Sequence, residues 1–425
     1  MRSNDVQRGR HSRASHTMAN DDLVLIAGGG PVGLLCALLL GRHGLRVRLF
    51  EACVSPQQDP RAATTHPATL EVLGEAGLVE DIVRAGLVAP SFQFWDRPTR
   101  SLIAEFDHAI LKEDTAYPFV VQCEQFKTAM LILKRLRNLP NVDILFEHEV
   151  VGVSQTEKHV SVSVRGPEGV TRHDGGYLIG ADGAHSTVRR QIGISFDGFT
   201  WPERFLVLTT PYDFEAGLGC CPRSYFADPQ EWCNCFKVSA NGPPGFWRIV
   251  FPTNPDTAEE ELISDKAVQA RLQNFFPLPT PYDIVHRNLY VTHQRVAGTF
   301  RLGRVLLAGD AAHVNNPIGG MGLNGGLQDA ANLSEKLAAV LLDGASGRQL
   351  DLYSRQRRTV AIEFVQQQSI ENKNRLEARD PEIRARNLAE LRDMAADPAR
   401  TRQFLLRTSM IASQRRVAAM TLEDA

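Results

Sequence analysis

The feature that most limits the fold lies near the start of the chain. Leu23 to Ala27 is a short apolar run, followed by Gly28-Gly29-Gly30-Pro31-Val32-Gly33, an apolar stretch from Leu34 to Leu40, and a second run, Val47 to Phe50, that ends in Glu51. A buried strand, a glycine turn, a helix and a second strand make a βαβ unit, with GxGxxG at the turn and an acid about 20 residues on. Each glycine has a separate task. Gly28 makes the tight turn, Gly30 lets a pyrophosphate approach the backbone, and Gly33 lets helix and strand pack closely. Pro31 and Val32 open the helix, whose N-terminal N–H groups favour an anion, and Glu51 is placed to accept the hydroxyls of an adenosine ribose. The unit therefore binds a dinucleotide, and this half of the signature is shared by FAD and NAD.

A second segment narrows the choice. Gly303 to Ala330 reads GRVLLAGDAAHVNNPIGGMGLNGGLQDA. Val305 to Ala308 is a buried-strand run, and Gly309 turns the chain so that the Asp310 carboxylate projects toward sugar-like hydroxyls. Beyond Pro317, the glycines that include Gly320 and Gly322 let backbone lie against a planar ring system, with Leu323 and Asn324 in the helix start behind them. Leu327, Ala330, Leu333, Leu337, Val340 and Leu341 recur at helical spacing along one face. Taken alone this is also the pattern of an ordinary glycine-rich loop; together with the upstream unit it favours FAD held without a covalent link.

Composition sets the frame. With 425 residues, 43% hydrophobic and 23% charged, the chain can build a large core or two domains, and a net charge of −2 argues against a nucleic-acid partner. The longest apolar run, Val32 to Leu40, is too short to span a bilayer. Seven scattered cysteines point to a reducing cytoplasm, and Cys220-Cys221 and Cys233-Asn234-Cys235 lack metal-type spacing, so no metal site is expected. Residues 1–21 are basic and polar without an apolar signal core; such a start can resemble a transit peptide, but it reads as a disordered extension, a tag or an upstream start before Met18. The fold class is α/β: an FAD-binding Rossmann-like domain of glutathione-reductase type, assembled from 22–90, 121–193 and 286–345. An antiparallel-sheet substrate domain is inserted as 91–120 and 194–285, rich in aromatic residues. Residues 346–425 are read as C-terminal helices that close the pocket or form the face of a homodimer.

A third motif, Gly180-Ala181-Asp182-Gly183-Ala184-His185-Ser186-Thr187-Val188-Arg189, lies between the other two. By itself Asp182-Gly183 is a common turn pair. In this company the chain resembles the single-component FAD-dependent aromatic-ring hydroxylases, the para-hydroxybenzoate and phenol hydroxylase group, from about Asp22 to Tyr353. The resemblance implies that Asp182 lies near the cofactor pyrophosphate and the nicotinamide donor's path, that Arg61 reaches the flavin phosphates, and that Gln122 touches the ribityl region. Read from the residues alone, Arg61 is a solvated loop charge and Gln122 a helix cap. Two positions depart from the family pattern: Met321 stands where Gln is common, which affects a polar contact at the flavin rim. Tyr353-Ser354-Arg355-Gln356-Arg357 replaces Tyr-x-x-Glu-Arg, read as a change in helix-surface pairing.

The resemblance further implies NADH or NADPH as electron donor in a surface groove, dioxygen as co-substrate, and hydroxylation of a phenolic or heteroaromatic ring through a flavin hydroperoxide. That chemistry asks for a dry site and a base for the substrate hydroxyl. His66 is the first candidate base, because it follows Arg61 and titrates near neutrality; the alternative is a surface or helix-capping histidine beside Pro67. His313 is read as ordering the turn after Asp310, and Tyr225, Trp247 and Arg248 as substrate-pocket candidates. A flavin-dependent halogenase would carry Trp-x-Trp-x-Ile-Pro, and none of the four tryptophans is so placed. An FAD oxidoreductase of the same fold without oxygen insertion, and a non-catalytic flavin-binding protein, stay open from the motifs.

Overall fold

The computed structural model describes residues 22–58 and 62–424. The expected extension at residues 1–21, and Arg61, lie outside the described residues.

Leu23–Ala27 is buried along its whole length, as a strand covered on both faces must be, and sits in the middle of a six-stranded sheet. On one side it pairs in parallel with Tyr177–Gly180, which pairs with Val305–Leu307; on the other it pairs with Arg46–Glu51, which pairs with Val142–Phe146. Arg301–Leu302 closes the edge antiparallel. The helices Pro31–Arg42 and Met321–Leu342 pack on each other, and Gln125–Leu136 packs on the first. The close approach of the first helix to the strand end depends on glycine: a Cβ on Gly33 would lie 2.0 Å from the Gly28 carbonyl oxygen. A three-stranded antiparallel sheet, Glu149–Gln155, Val160–Gly166 and Gly169–Gly175, adds Val160, Val162 and Val164 to the same core.

An eight-stranded sheet forms the second layer. Its order is His313–Val314, His286–Ala297, Phe196–Thr210, Phe246–Pro252, Cys233–Val238, Arg223–Ala227, Ser91–Asp96, Ser101–Asp107. Two details correct the sequence reading. The strand His286–Ala297, assigned to the cofactor unit, pairs instead along Phe196–Thr210 in this sheet. The sheet is also mixed, because Ser91–Asp96 joins Arg223–Ala227 in parallel, which is how the separate piece 91–120 enters it.

Strand alternation sorts the aromatic residues between the two faces. Leu206, Leu208, Trp247, Ile249 and Phe251 point to one core, roofed by the helix Asp265–Phe275. Phe205, Val207, Tyr225 and Val250 point to the other. The C-terminal helices Pro381–Ala396 and Pro398–Thr408 pack on the outer end of the sheet, where Phe404 meets Phe106 at a ring distance of 4.7 Å. Among the described residues no helix is long and apolar enough to cross a membrane.

Candidate active site

A cavity of about 1120 Å³ opens where the carboxyl ends of the parallel strands face the eight-stranded sheet. This is where open α/β sheets bind ligands. One half is built by the cofactor motifs. Gly28, Gly30, Pro31 and Val32 line it from the first turn, Glu51 from the end of the second strand, and Asp182 from the third motif. Asp310, Pro317, Gly320, Gly322 and Leu323 line it from the Gly303 to Ala330 segment, and Gln122 from the strand Val120–Gln122. Gly33, Gly309 and Asn324 do not reach the cavity surface.

The chemistry of this half fits FAD. A Cβ on Gly30 would meet no protein atom within 4 Å, so the space beside it is free for a pyrophosphate. Glu51 accepts the Gly29 N–H at 2.5 Å and the Cys53 N–H at 2.8 Å, which leaves acceptor capacity for ribose hydroxyls. Gln122 is fully buried; its Oε1 accepts from Thr64 Oγ1 at 2.9 Å, while its Nε2 lacks a partner in the protein and is a donor in want of an acceptor. Burial pushes the Asp182 carboxyl above the usual range, against hydrogen bonds from Ser186 and Val188. Gly309, at φ 61°, turns the chain so that Asp310 lies at the cavity wall.

Behind the motif stands a buried anchor. Asp329 accepts the Gly309 N–H at 3.0 Å, His313 Nε2 at 2.8 Å and Arg357 Nε at 2.6 Å. His313 orders the turn, as the sequence suggested. The Tyr353 to Arg357 segment does not pair on a helix surface: Tyr353 and Arg357 are fully buried, and Tyr353 Oη donates to the Leu307 carbonyl at 2.6 Å.

Three sequence-predicted site residues are corrected. His66 is fully buried as the N-cap of Pro67–Glu75 and does not line the cavity. Its Nε2 donates to the Gly319 carbonyl at 2.7 Å, and burial, reinforced by Arg223, holds its pKa well below the usual value. It is a buried prop of the glycine loop and presents no surface to the cavity. Asn324 serves the same loop, accepting the His66 N–H at 2.8 Å and donating to the Thr64 carbonyl at 2.8 Å. Trp247 faces away from the cavity, because it alternates with Arg248 along its strand; its Nε1 donates to Asp213 Oδ1 at 3.2 Å.

Tyr225 and Arg248 do line the second half of the cavity, with Phe236 from the aromatic-rich insert and with residues that sequence reading missed: Arg223, Asn234 and Tyr290. Sheet register arranges them in rows, Arg223 opposite Phe236 opposite Arg248, and Tyr225 opposite Asn234 opposite Val250. Arg223 was open to discovery from its two-residue spacing to Tyr225 in one strand. Met321 lines the cavity as well.

The geometry agrees with what known proteins show. The family profile described as FAD binding domain matches residues 22–368. The para-nitrophenol 4-monooxygenase of Pseudomonas sp. (strain WBC-3) is 39% identical over 91% of this chain and 94% of its own length. The 6-hydroxy-3-succinoylpyridine 3-monooxygenase HspB of Pseudomonas putida (strain DSM 28022 / S16) is 35% identical over 86% of this chain and 91% of its own. The crystal structure of p-nitrophenol 4-monooxygenase PnpA from Pseudomonas putida DLL-E4 superposes with a TM-score of 0.86 at 37% identity, covering 93% of this chain and 97% of that one.

Proposed function

This chain belongs to the FAD-dependent aromatic-ring hydroxylases, and from that premise we propose that it hydroxylates a phenolic or hydroxy-heteroaromatic ring with dioxygen, using NADH or NADPH as donor. The observation that carries the reading is one continuous cavity with a dinucleotide half and an aromatic, cationic half. The bound FAD supplies the redox and oxygen chemistry, and the protein supplies binding, orientation and electrostatics. Gly30 and the first turn of Pro31–Arg42 receive the pyrophosphate, Glu51 the adenosine ribose, and Asp310 and Gln122 the ribityl chain. The backbone from Pro317 to Leu323 lies along the ring system. Phe236, Tyr225 and Tyr290 give the substrate a flat, apolar wall, while Val207, Val250 and Met321 keep it dry. All these contacts are non-covalent. The seven unbridged cysteines support a reducing, cytoplasmic setting.

The test is NAD(P)H oxidation by the FAD-loaded protein across phenols, hydroxybenzoates and hydroxypyridines under labelled dioxygen. Substrate-stimulated oxidation with label in the ring product is the expected result. Turnover with an artificial acceptor in the absence of oxygen, and no label in any product, would overturn the reading.

A further inference from the structure

Among the described residues, the substrate half of the cavity holds no carboxylate and no imidazole. The carboxylates and imidazoles that line the cavity, Glu51, His148, Glu149, Asp182, His185 and Asp310, all stand on elements of the cofactor unit. The side built by the eight-stranded sheet carries none among the described residues; it carries Arg223 and Arg248 instead.

Arg223 is 5% exposed, and no carboxylate forms an ion pair with it among the described residues. Its Nη2 donates to Tyr225 Oη at 3.1 Å and to the Gly319 carbonyl at 3.5 Å; its Nη1 has no partner. The guanidinium lies over the Phe92 ring at 4.8 Å. A buried guanidinium without a counter-ion is costly unless a ligand anion supplies one. Because the Tyr225 oxygen accepts from Arg223, the Tyr225 proton is left to donate. Donors and a positive charge therefore converge where a ring oxygen would sit.

The groups around Arg223 do not cancel its charge. His66 and His108 are both buried and held neutral, each by desolvation first and by Arg223 second. The Cys221 thiol is pushed up by burial. Glu105 is taken by Ser91 Oγ at 2.6 Å and Gln93 Nε2 at 3.0 Å. Glu124 lies 4.0 Å from Arg248, the other cation of the row, about 10 Å from Arg223 by two strand spacings.

We propose that Arg223 and Tyr225 form an oxyanion clamp that admits the aromatic substrate as its phenolate, so that the ring is activated by selection of the ionised form and not by a base of the protein. The proposal rests on the hydroxylase reading and sharpens it. The hydroxyl proton stays in bulk water before binding, and no proton acceptor in the protein is needed. The favoured substrates are acidic phenols and hydroxy-heteroaromatics, whose electron-withdrawing substituents leave a large ionised fraction at neutral pH.

The experiment uses the FAD-loaded protein without NAD(P)H and 4-nitrophenol as probe, since its ionised form absorbs visible light. Difference spectra over a pH series give the ionisation midpoint of the bound probe. That midpoint should fall at least about one pH unit below that of the free probe, a tenfold preference for the anion. Arg223→Gln should return it to the free value or above, and Arg223→Lys should keep part of the shift. An unshifted midpoint in the wild type, or an unchanged shift in an Arg223→Gln protein that retains FAD, overturns the clamp. Should that variant fail to fold, the wild type decides through kcat/KM profiles for phenols of graded acidity. The acidic limb should move with each substrate's own pKa, and a limb fixed at one pH would reveal a protein base and overturn the proposal. A shifted midpoint without any labelled product would instead sink the hydroxylase reading and leave the clamp standing.

Discussion

Asp329 has no exposed surface, yet it holds three donors from three separate elements. Burial pushes its pKa up, but the charges and hydrogen bonds of His313 and Arg357 more than offset this and keep it below the usual carboxylate range. It is the pin that fixes the turn carrying Asp310. Asp329→Asn should leave Arg357 buried without its counter-charge and destabilise the fold by about 3–5 kcal/mol; urea unfolding of the holoenzyme measures this, and a loss under about 1 kcal/mol would show that the network relaxes. The residues proposed to touch the cofactor give a different signature. Glu51→Ala should weaken FAD by about 1.5–3 kcal/mol, read by titration of the apoprotein, because a charged acceptor is lost from ribose hydroxyls. Gly30→Val should be harsher, since its side chain would enter the space kept for the pyrophosphate, although that side chain would clash with no protein atom at its Cβ. The placement of Glu51 and Gly30 at the cavity was legible in the sequence because it depends on spacing along one short unit. Asp329 was not, because its partners lie 16, 20 and 28 residues away along the chain and meet it only in space.

At the scale of elements, the legible parts were those whose pattern is local: the strand Leu23–Ala27, the helices Pro31–Arg42 and Met321–Leu342, and the strand Val305–Leu307. What escaped was which face of a strand lines the cavity. Phe246–Pro252 is apolar at nearly every position, so its sequence does not say whether Trp247 or Arg248 faces the cavity. The partner helix Asp265–Phe275 decides, because it covers the Trp247 face. The same pairing across distance placed His286–Ala297 in the second sheet, against the expectation from its neighbourhood to the Asp310 motif. The two adjacent residues should therefore separate in mutation. Trp247→Ala should cost about 3–5 kcal/mol of stability through the cavity it leaves, with substrate KM nearly unchanged where the protein is still folded. Arg248→Met should change KM more than stability. A Trp247→Ala protein of normal stability and altered KM would mean that the faces are reversed.

For the molecule as a whole, two layers meet at one cavity, and the contact is made by buried groups that must stay neutral. His66 props Gly319 from the cofactor side, and His108 caps the strand pair on the other, with Nδ1 at 2.8 Å from the Pro90 carbonyl. Burial first and Arg223 second lower both, His108 to about 4. A histidine depressed in the folded state binds its proton more readily when unfolded, so the unfolded state takes up more protons and stability falls as pH drops. The contribution is complete above the ordinary value of 6.5 and is lost progressively as pH falls toward 4, worth on the order of 3 kcal/mol for His108 alone, with His66 adding in the same direction. His173 and His293, lowered chiefly by burial, act in the same sense, whereas the raised Asp182 opposes them. Asp329, being depressed, contributes stability that is complete above the ordinary carboxylate value of 3.8 and is lost only as pH falls below it, outside this window. Urea unfolding of the holoenzyme should therefore show stability decreasing from pH 7 to about pH 4.5. His108→Gln, which keeps a side-chain donor for the Pro90 carbonyl and cannot take a proton, should flatten that slope even if it lowers stability at pH 7. A slope unchanged in His108→Gln would assign the acid sensitivity to other groups. An absent slope in the wild type would mean that these histidines reach water before the fold opens, which would also weaken the case for a dry substrate chamber beside them.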